Sequence, residues 1–320
     1  MVSWKCPAAP CNPPHIFRNP KKAPFLPRNK VSAMKMRAPA NPGFTLIELL
    51  VVVAIILVLA ALGLSVSKAM ITNARKITEI NAAKNLLAAY ATAATDRSGS
   101  YLPGYDRTIG SIPGPGGVLL SGPAAERYPW RLTPYLGDNP RGTLLVGANA
   151  TQLDPNDTYM VSCYPALGIN YIFVGGDEQT DGTLTYPPEC ITRASNSASV
   201  LVFASACGSG TSGPGGNAST DPAGGSPTGV INGYCILTPP NLTGPMWNTA
   251  PWSASSSPSD YGNIDARFNG KAVCAFLDGS VRMESIADLR DMQLWSRTAA
   301  QTGNASYLVP DTTQRGSRLH

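Results

Sequence analysis

The chain has 320 residues, with 31 Gly, 29 Pro and only 14% charged side chains, a mixture that argues against a helical bundle and for a loop-rich β body. Its net charge of +5 is concentrated at one end: residues 1–43 hold eight basic side chains (Lys5, Arg18, Lys21, Lys22, Arg28, Lys30, Lys35, Arg37) and no acidic one, leaving 17 basic against 20 acidic in the rest. A nucleic-acid protein keeps its basic face on the folded body, so no nucleic-acid partner is expected.

The leader, residues 1–43, is rich in Pro and Lys/Arg, has no apolar periodicity, and is expected to form no packed structure. Met34 and Met36 stand just before the apolar run, and starts at Met1, Met34 or Met36 are all compatible with the sequence. Residues 44–66 follow, about 23 residues with one charge, Glu48, long enough for a helix to cross a bilayer core. A basic flank is retained on the cytoplasmic side. The expectation is therefore a single pass of the inner membrane, leader in the cytoplasm and the remainder periplasmic or extracellular. A secretory signal peptide places its small residues after the apolar core, whereas Gly43 stands before it.

Residues 67–98 read as a continuation of the helix. Ile71, Ala74, Ile77, Ile80, Ala83, Leu87 and Tyr90 recur at helical spacing, and Arg75, Lys76, Glu79 and Lys84 fall elsewhere. No Gly or Pro interrupts the run between Gly63 and Gly99, so one helix of roughly 50 residues is expected, about 75 Å long. Its amphipathic half needs a surface to pack on.

From 99 to 300 the pattern becomes short apolar runs between Gly/Pro turns. Thr143–Gly147, Ile169–Gly175, Ser199–Ser205 and Lys271–Met283 read as strands, the last as a hairpin turning at Asp278-Gly279. Gly208–Gly233 reads as a long loop, and 301–320 as a polar, flexible tail. The fold class expected is α+β: a long N-terminal helix packed on an antiparallel sheet with long loops. The body holds Cys163, Cys190, Cys207, Cys235 and Cys274 with no CxxC pair, which speaks against a zinc site. Disulfides in an exported body, with one thiol left over, and small buried hydrophobes are equal readings, and the pairing stays open. No catalytic residue is expected. His15 lies in the leader and His320 is the last residue, so a Ser–His or Cys–His pair has no histidine to use.

The segment Gly43-Phe44-Thr45-Leu46-Ile47-Glu48, set between basic leader and apolar helix, resembles the cleavage and methylation signal of type IV prepilins and type II secretion pseudopilins. Each part has a physical reason. A residue without a side chain lets a peptidase reach the backbone at Gly43, and a carboxylate at Glu48 is costly in an apolar helix unless paired. The resemblance implies a pilin-like fold, a cut after Gly43 by a prepilin peptidase/methyltransferase, and N-methylation of Phe44. It also implies pairing of Glu48 with the N-terminal amine of a neighbouring pilin or pseudopilin subunit, within inner-membrane lipid.

A second resemblance covers the C-terminal half. Residues Arg267 to Val281 look like the closing signature of a prepilin-like family abundant in planctomycetes, in which a His is followed nine residues later by Asp-Gly. Phe268 stands where the His would be, while Arg267, Asn269, Gly270, Asp278 and Gly279 match. Tyr128–Leu136 and Gly168–Tyr171 are similar to further blocks of that family. Related major pseudopilins bind calcium in a C-terminal loop, which makes Asp278 a calcium candidate beside its reading as a turn residue. No other metal or cofactor is expected, and the acidic loop Gly175–Gly182 lacks EF-hand spacing. Two functions follow: a structural subunit of a type IV pilus or type II secretion pseudopilus, or a membrane-anchored exported binding module with no filament role.

Overall fold

The computed structural model describes residues 43–186, 188–194, 199–209, 230–310 and 315–316, without the side chains of 62–69 and 315–316. The expected leader therefore lies outside the described residues up to its last position. By its contacts the chain divides into two compact units, residues 1–57 and 58–320. In the first, helix α1 (Leu46–Asp96) begins directly after Thr45, and every side chain from Gly43 to Leu57 is exposed. Among the described residues no helix is long and apolar enough to cross a membrane; the expected span 44–66 runs into residues 62–69, whose side chains are not described.

In the second unit four strands form an antiparallel sheet: β1 (Leu167–Ile169), β2 (Leu201–Ser205), β3 (Lys271–Phe276) and β4 (Val281–Ser285), in the order β4-β3-β2-β1. Side chains of successive strand residues point to opposite faces, and here both faces are covered. Val202, Val273 and Ala275 face one apolar cluster with Ala82, Ala83, Leu86, Tyr90 and Ala93 of α1. Leu201, Ala204, Ala272, Cys274 and Phe276 face a second, built from Trp247, Tyr261, Leu289, Met292 and Trp295. The fold is α+β with a sheet-rich body, and the sheet is the middle of three layers. The expected helix-on-sheet contact is one side of it; the tryptophan-bearing loops on the other were not anticipated.

The helix packs along a shorter stretch than its periodicity suggests. Ile71 and Ile77 are exposed, and burial begins at Glu79 and continues through Ala82, Ala83, Leu86, Leu87, Ala89, Tyr90, Ala93 and Ala94. Alanines dominate this face, which lets the helix backbone come close to the sheet. Tyr90 adds a specific anchor, its hydroxyl donating to Leu102 O at 2.9 Å and its ring stacked on Tyr101.

Two expected strands are not strands. Thr143–Gly147 is buried through Val146 but turned, with Leu144 and Leu145 N–H both donating to Pro140 O, because Gly142 and Gly147 sit at φ +79° and +61° and reverse the chain at each end. Ile169–Gly175 ends its strand at Ile169, and Val174 N–H closes a turn onto Asn170 O. The buried Asn170 side chain holds that turn to the body by donating to Leu201 O at 2.9 Å and Trp295 O at 3.1 Å. Of the expected loop Gly208–Gly233, Gly208–Ser209 pairs with Val230–Ile231, and residues 210–229 lie outside the described residues. The expected flexible tail is docked as far as Pro310: Val309 is buried, its N–H donating to Leu242 O, and the Tyr307 hydroxyl donates to the buried Glu189 at 2.8 Å. An apolar Val309 and one hydroxyl suffice to hold a segment that is polar on average.

Because packing starts at Glu79, Leu86→Ala is expected to cost about 2–5 kcal/mol, while Ile77→Ala stays within roughly 0.5 kcal/mol of wild type. Denaturant melts of the detergent-solubilised chain measure both; equal losses would show that the helix packs from Ile77 onward.

Candidate functional site

Two clusters gather the residues that the sequence singles out. The first is the start of α1. Thr45 caps the helix and Glu48 is its third residue: Thr45 N–H and Oγ donate to Glu48 Oε2 at 2.9 and 2.8 Å, and Glu48 N–H donates back to Thr45 Oγ at 3.3 Å. This is a capping box, which satisfies helix N–H groups that have no partner of their own. Gly43 and Phe44 precede it outside the helix, and Phe44 is 73% exposed. A Cβ added at Gly43 would meet nothing within 4 Å, so nothing within the described chain requires glycine there.

The second cluster is the C-terminal signature. Phe268 and Lys271 exchange N–H···O bonds of 3.1 and 3.2 Å across Asn269 (φ +54°) and Gly270 (φ +77°), the geometry of a two-residue turn in which both central residues are left-handed. At the other end of β3, Gly279 takes φ +86° and its N–H donates to Phe276 O at 3.0 Å. Asp278 is exposed and its Oδ1 accepts from Ser280 N and Oγ at 2.9 and 2.6 Å. Partial burial pushes its carboxyl up, but hydrogen bonds from Ser280 and Ser199, with the Arg282 charge, hold it below the ordinary value. Asn269 and Gly270 on one side, and Asp278 and Gly279 on the other, therefore build the two turns that bracket β3. Among the described residues no group of three or more His, Cys, Asp or Glu is placed to hold a metal ion. In the acidic loop, Asp177 is paired with Arg107 at 2.5 Å and Asp181 accepts from Thr183.

Arg267 has a different task. Its Nη1 lies 3.6 Å from Glu79 Oε2, its Nε 3.0 Å from Asp265 Oδ2, and its Nη2 donates to Ala206 O. Glu79, only 2% exposed, also accepts from Ser205 Oγ at 2.5 Å, and that hydroxyl oxygen accepts from Val273 N–H. Helix, β2 and the turn before β3 thus meet at one carboxylate. The helical pattern places Glu79 away from the apolar stripe, and it is the first buried residue of the packed face. Its signal in the sequence was slight: one acidic residue beside Ile80, and one arginine inside a motif otherwise made of turns. Phe268, in the place of the expected His, is buried in the cluster that α1 packs against.

Burial pushes the Glu79 carboxyl above its ordinary value, against the pull of Arg267 and of the Ser205 hydroxyl. Burial raises Asp265 too, opposed by Arg267. A carboxyl raised on folding stabilises the fold in its protonated form: the contribution is complete below the unfolded value, near 4.5 for Glu79, and is lost as pH rises through the folded one.

Residues 40–64 match the family model of the prokaryotic N-terminal methylation motif. The chain thus carries a prepilin-type motif and is similar there to type IV pilin-like proteins. The motif implies a membrane-anchored, exported protein, processed by a prepilin peptidase and assembled with other pilins. No curated protein and no solved structure matches the chain.

Arg267→Met strips the counter-charge from a buried carboxylate and is expected to cost about 3–5 kcal/mol at pH 7. The loss should shrink as pH falls toward 4.5 and Glu79 takes up a proton, and the double variant Glu79→Leu/Arg267→Met should recover most of it. Melting of each form at pH 7.5 and pH 5 decides. An equal loss at both would mean that Arg267 acts by packing alone.

Proposed function

We propose that this chain is a prepilin-like structural subunit of a type IV pilus or a type II secretion pseudopilus, cut after Gly43, methylated on Phe44, and assembled through α1. The observation that carries the reading is the junction at Gly43–Glu48: an exposed glycine, an exposed Phe44 and a capped helix start coincide with the methylation motif matched at 40–64. In this reading the apolar start of α1, extended through 66, spans the inner membrane once, with the leader in the cytoplasm and the body outside. Lipid supplies no hydrogen bonds, so a carboxylate at depth needs a partner. Thr45 supplies one within the subunit, and the methylated amine of a neighbouring Phe44 replaces it on assembly. The protein is a substrate of the peptidase/methyltransferase rather than an enzyme, and it needs no cofactor. The C-terminal likeness to the planctomycete-type family rests on the two turns around β3 and on Arg267.

One observation favours the second reading, a membrane-anchored binding module. A cavity of about 460 Å³ opens beside Arg267, lined by Trp252, Ser253, Asp265 and Asn269, a size compatible with a small polar ligand. Crosslinking distinguishes the two, since a subunit gives a ladder of multimers and a solitary anchor gives none.

Mass spectrometry of the mature N-terminus is expected to find N-methyl-Phe44 in wild type and uncut precursor in Gly43→Leu. Glu48→Val is expected to be cut and inserted normally yet to give no multimer ladder. Normal processing of Gly43→Leu would refute the cut site, and a wild-type ladder from Glu48→Val would refute the role of the charge.

A further inference from the structure

All five cysteines of the body are buried, and two of them are brought to one place. Cys163 closes the short helix Thr158–Cys163. The segment 233–237 runs back beside it: Cys235 N–H donates to Cys163 O at 2.9 Å, and Tyr234 N–H to Pro165 O at 2.9 Å. The approach is so close that a Cβ on Gly233 would lie 2.3 Å from Tyr164 O. The backbones of the two cysteines are thus in direct contact and their sulfurs act on each other electrostatically, which sets them side by side as a disulfide requires, with α-carbons roughly 4.4–6.8 Å apart. Arg127 faces the same spot. Its Nη1 donates to Ser162 Oγ and to Cys163 Sγ, both at 3.0 Å, and its charge acts on the Cys163 and Cys235 sulfurs alike. Cys207 and Cys274 are engaged differently, each donating its S–H to a backbone carbonyl at 3.8 Å.

We propose that Cys163 and Cys235 are joined by a disulfide in the mature protein. This rests on the export of the body proposed above, since such bonds persist in oxidising compartments and not in the cytosol. The oxidant is a disulfide-bearing thiol oxidase of that compartment. Cys163 gives up its proton and attacks one sulfur of the oxidant's disulfide, and the other sulfur leaves as a thiol. Cys235 then gives up its proton, attacks the Cys163 sulfur of the mixed disulfide, and releases the second thiol. Two protein thiols lose two electrons and two protons, and the oxidant is reduced to a dithiol. Both side chains are fully buried in the folded body, so the exchange takes place before segment 233–237 docks. The ring that the bond closes contains β2, the strand that carries Ser205.

The test uses the full-length protein in two arms. In the first, protein from the cell is alkylated at harvest, digested without reductant and mapped by mass spectrometry. The expected result is a linked Cys163–Cys235 peptide, with Cys207 and Cys274 labelled as thiols once the chain is unfolded. In the second, the purified chain is reduced, unfolded, and refolded in a glutathione redox buffer before mapping. At equilibrium about nine-tenths or more of Cys163 is expected in the linked form, as for other structural disulfides. Failure to link in glutathione, or linkage of either cysteine to a different partner, overturns the pairing. A link that forms in glutathione but is missing from the cell-derived protein leaves the pairing standing and overturns the export on which its presence in the cell depends.

Discussion

A carboxylate on the long helix meets a guanidinium from the turn before β3, and the rest of the body is organised around that meeting. Glu79 is nearly inaccessible, held by Ser205 from β2 and by Arg267. Two ions taken out of water cost more than they return unless the remaining hydrogen-bonding capacity is filled. Here the pair is contacted from three directions, by Ser205, Asp265 and Ala206 O, but the buried Arg267 Nε makes no hydrogen bond of its own. The pair is not a source of net stability. It sets position, because only one placement of the helix along the sheet brings Glu79 within reach of both partners.

What surrounds the pair follows from that placement. Alanines at positions 82, 83, 89, 93 and 94 give the helix a nearly flat face, which would slide along the sheet if apolar contact were the only bond. Tyr90, anchored to Leu102 O and stacked on Tyr101, fixes the far end as Glu79 fixes the near end. The opposite side of the sheet is closed by Trp247 and Trp295, packed edge to face with ring centroids 5.9 Å apart. With both sides covered, strands β2 and β3 show continuous burial rather than alternation.

Much of this was legible in the chain. The helix, the hairpin Lys271–Met283 and the Asp278-Gly279 turn are visible because their signals are local: spacing, strand propensity, and residues that tolerate positive φ. The motif at Gly43–Glu48 is visible for the same reason, and its capping box lies within four consecutive residues. The failures are mostly non-local, and one is local. Thr143–Gly147 has strand-like residues, but the glycines at 142 and 147 bend it. Residues 301–310 have no periodicity, and are held by Leu242 and Glu189 from far up the chain. Glu79 looks solvated because Ser205 lies 126 positions away, and no pattern within one helix can reveal a partner at that distance.

That separation has a consequence for how the chain is made. Glu79 is synthesised long before Ser205 and Arg267, and the helix face around it has nothing to cover it until they arrive. Contacts so distant along the chain form late in folding. Until the turn at Asn269-Gly270 has been made, a growing or broken chain carries a bare carboxylate among its alanines, and the packed face cannot close. Such chains expose the apolar surface that proteases and chaperones recognise in incomplete products. The buried pair therefore ties closure of the helix face to residues that lie more than a hundred positions further along the chain.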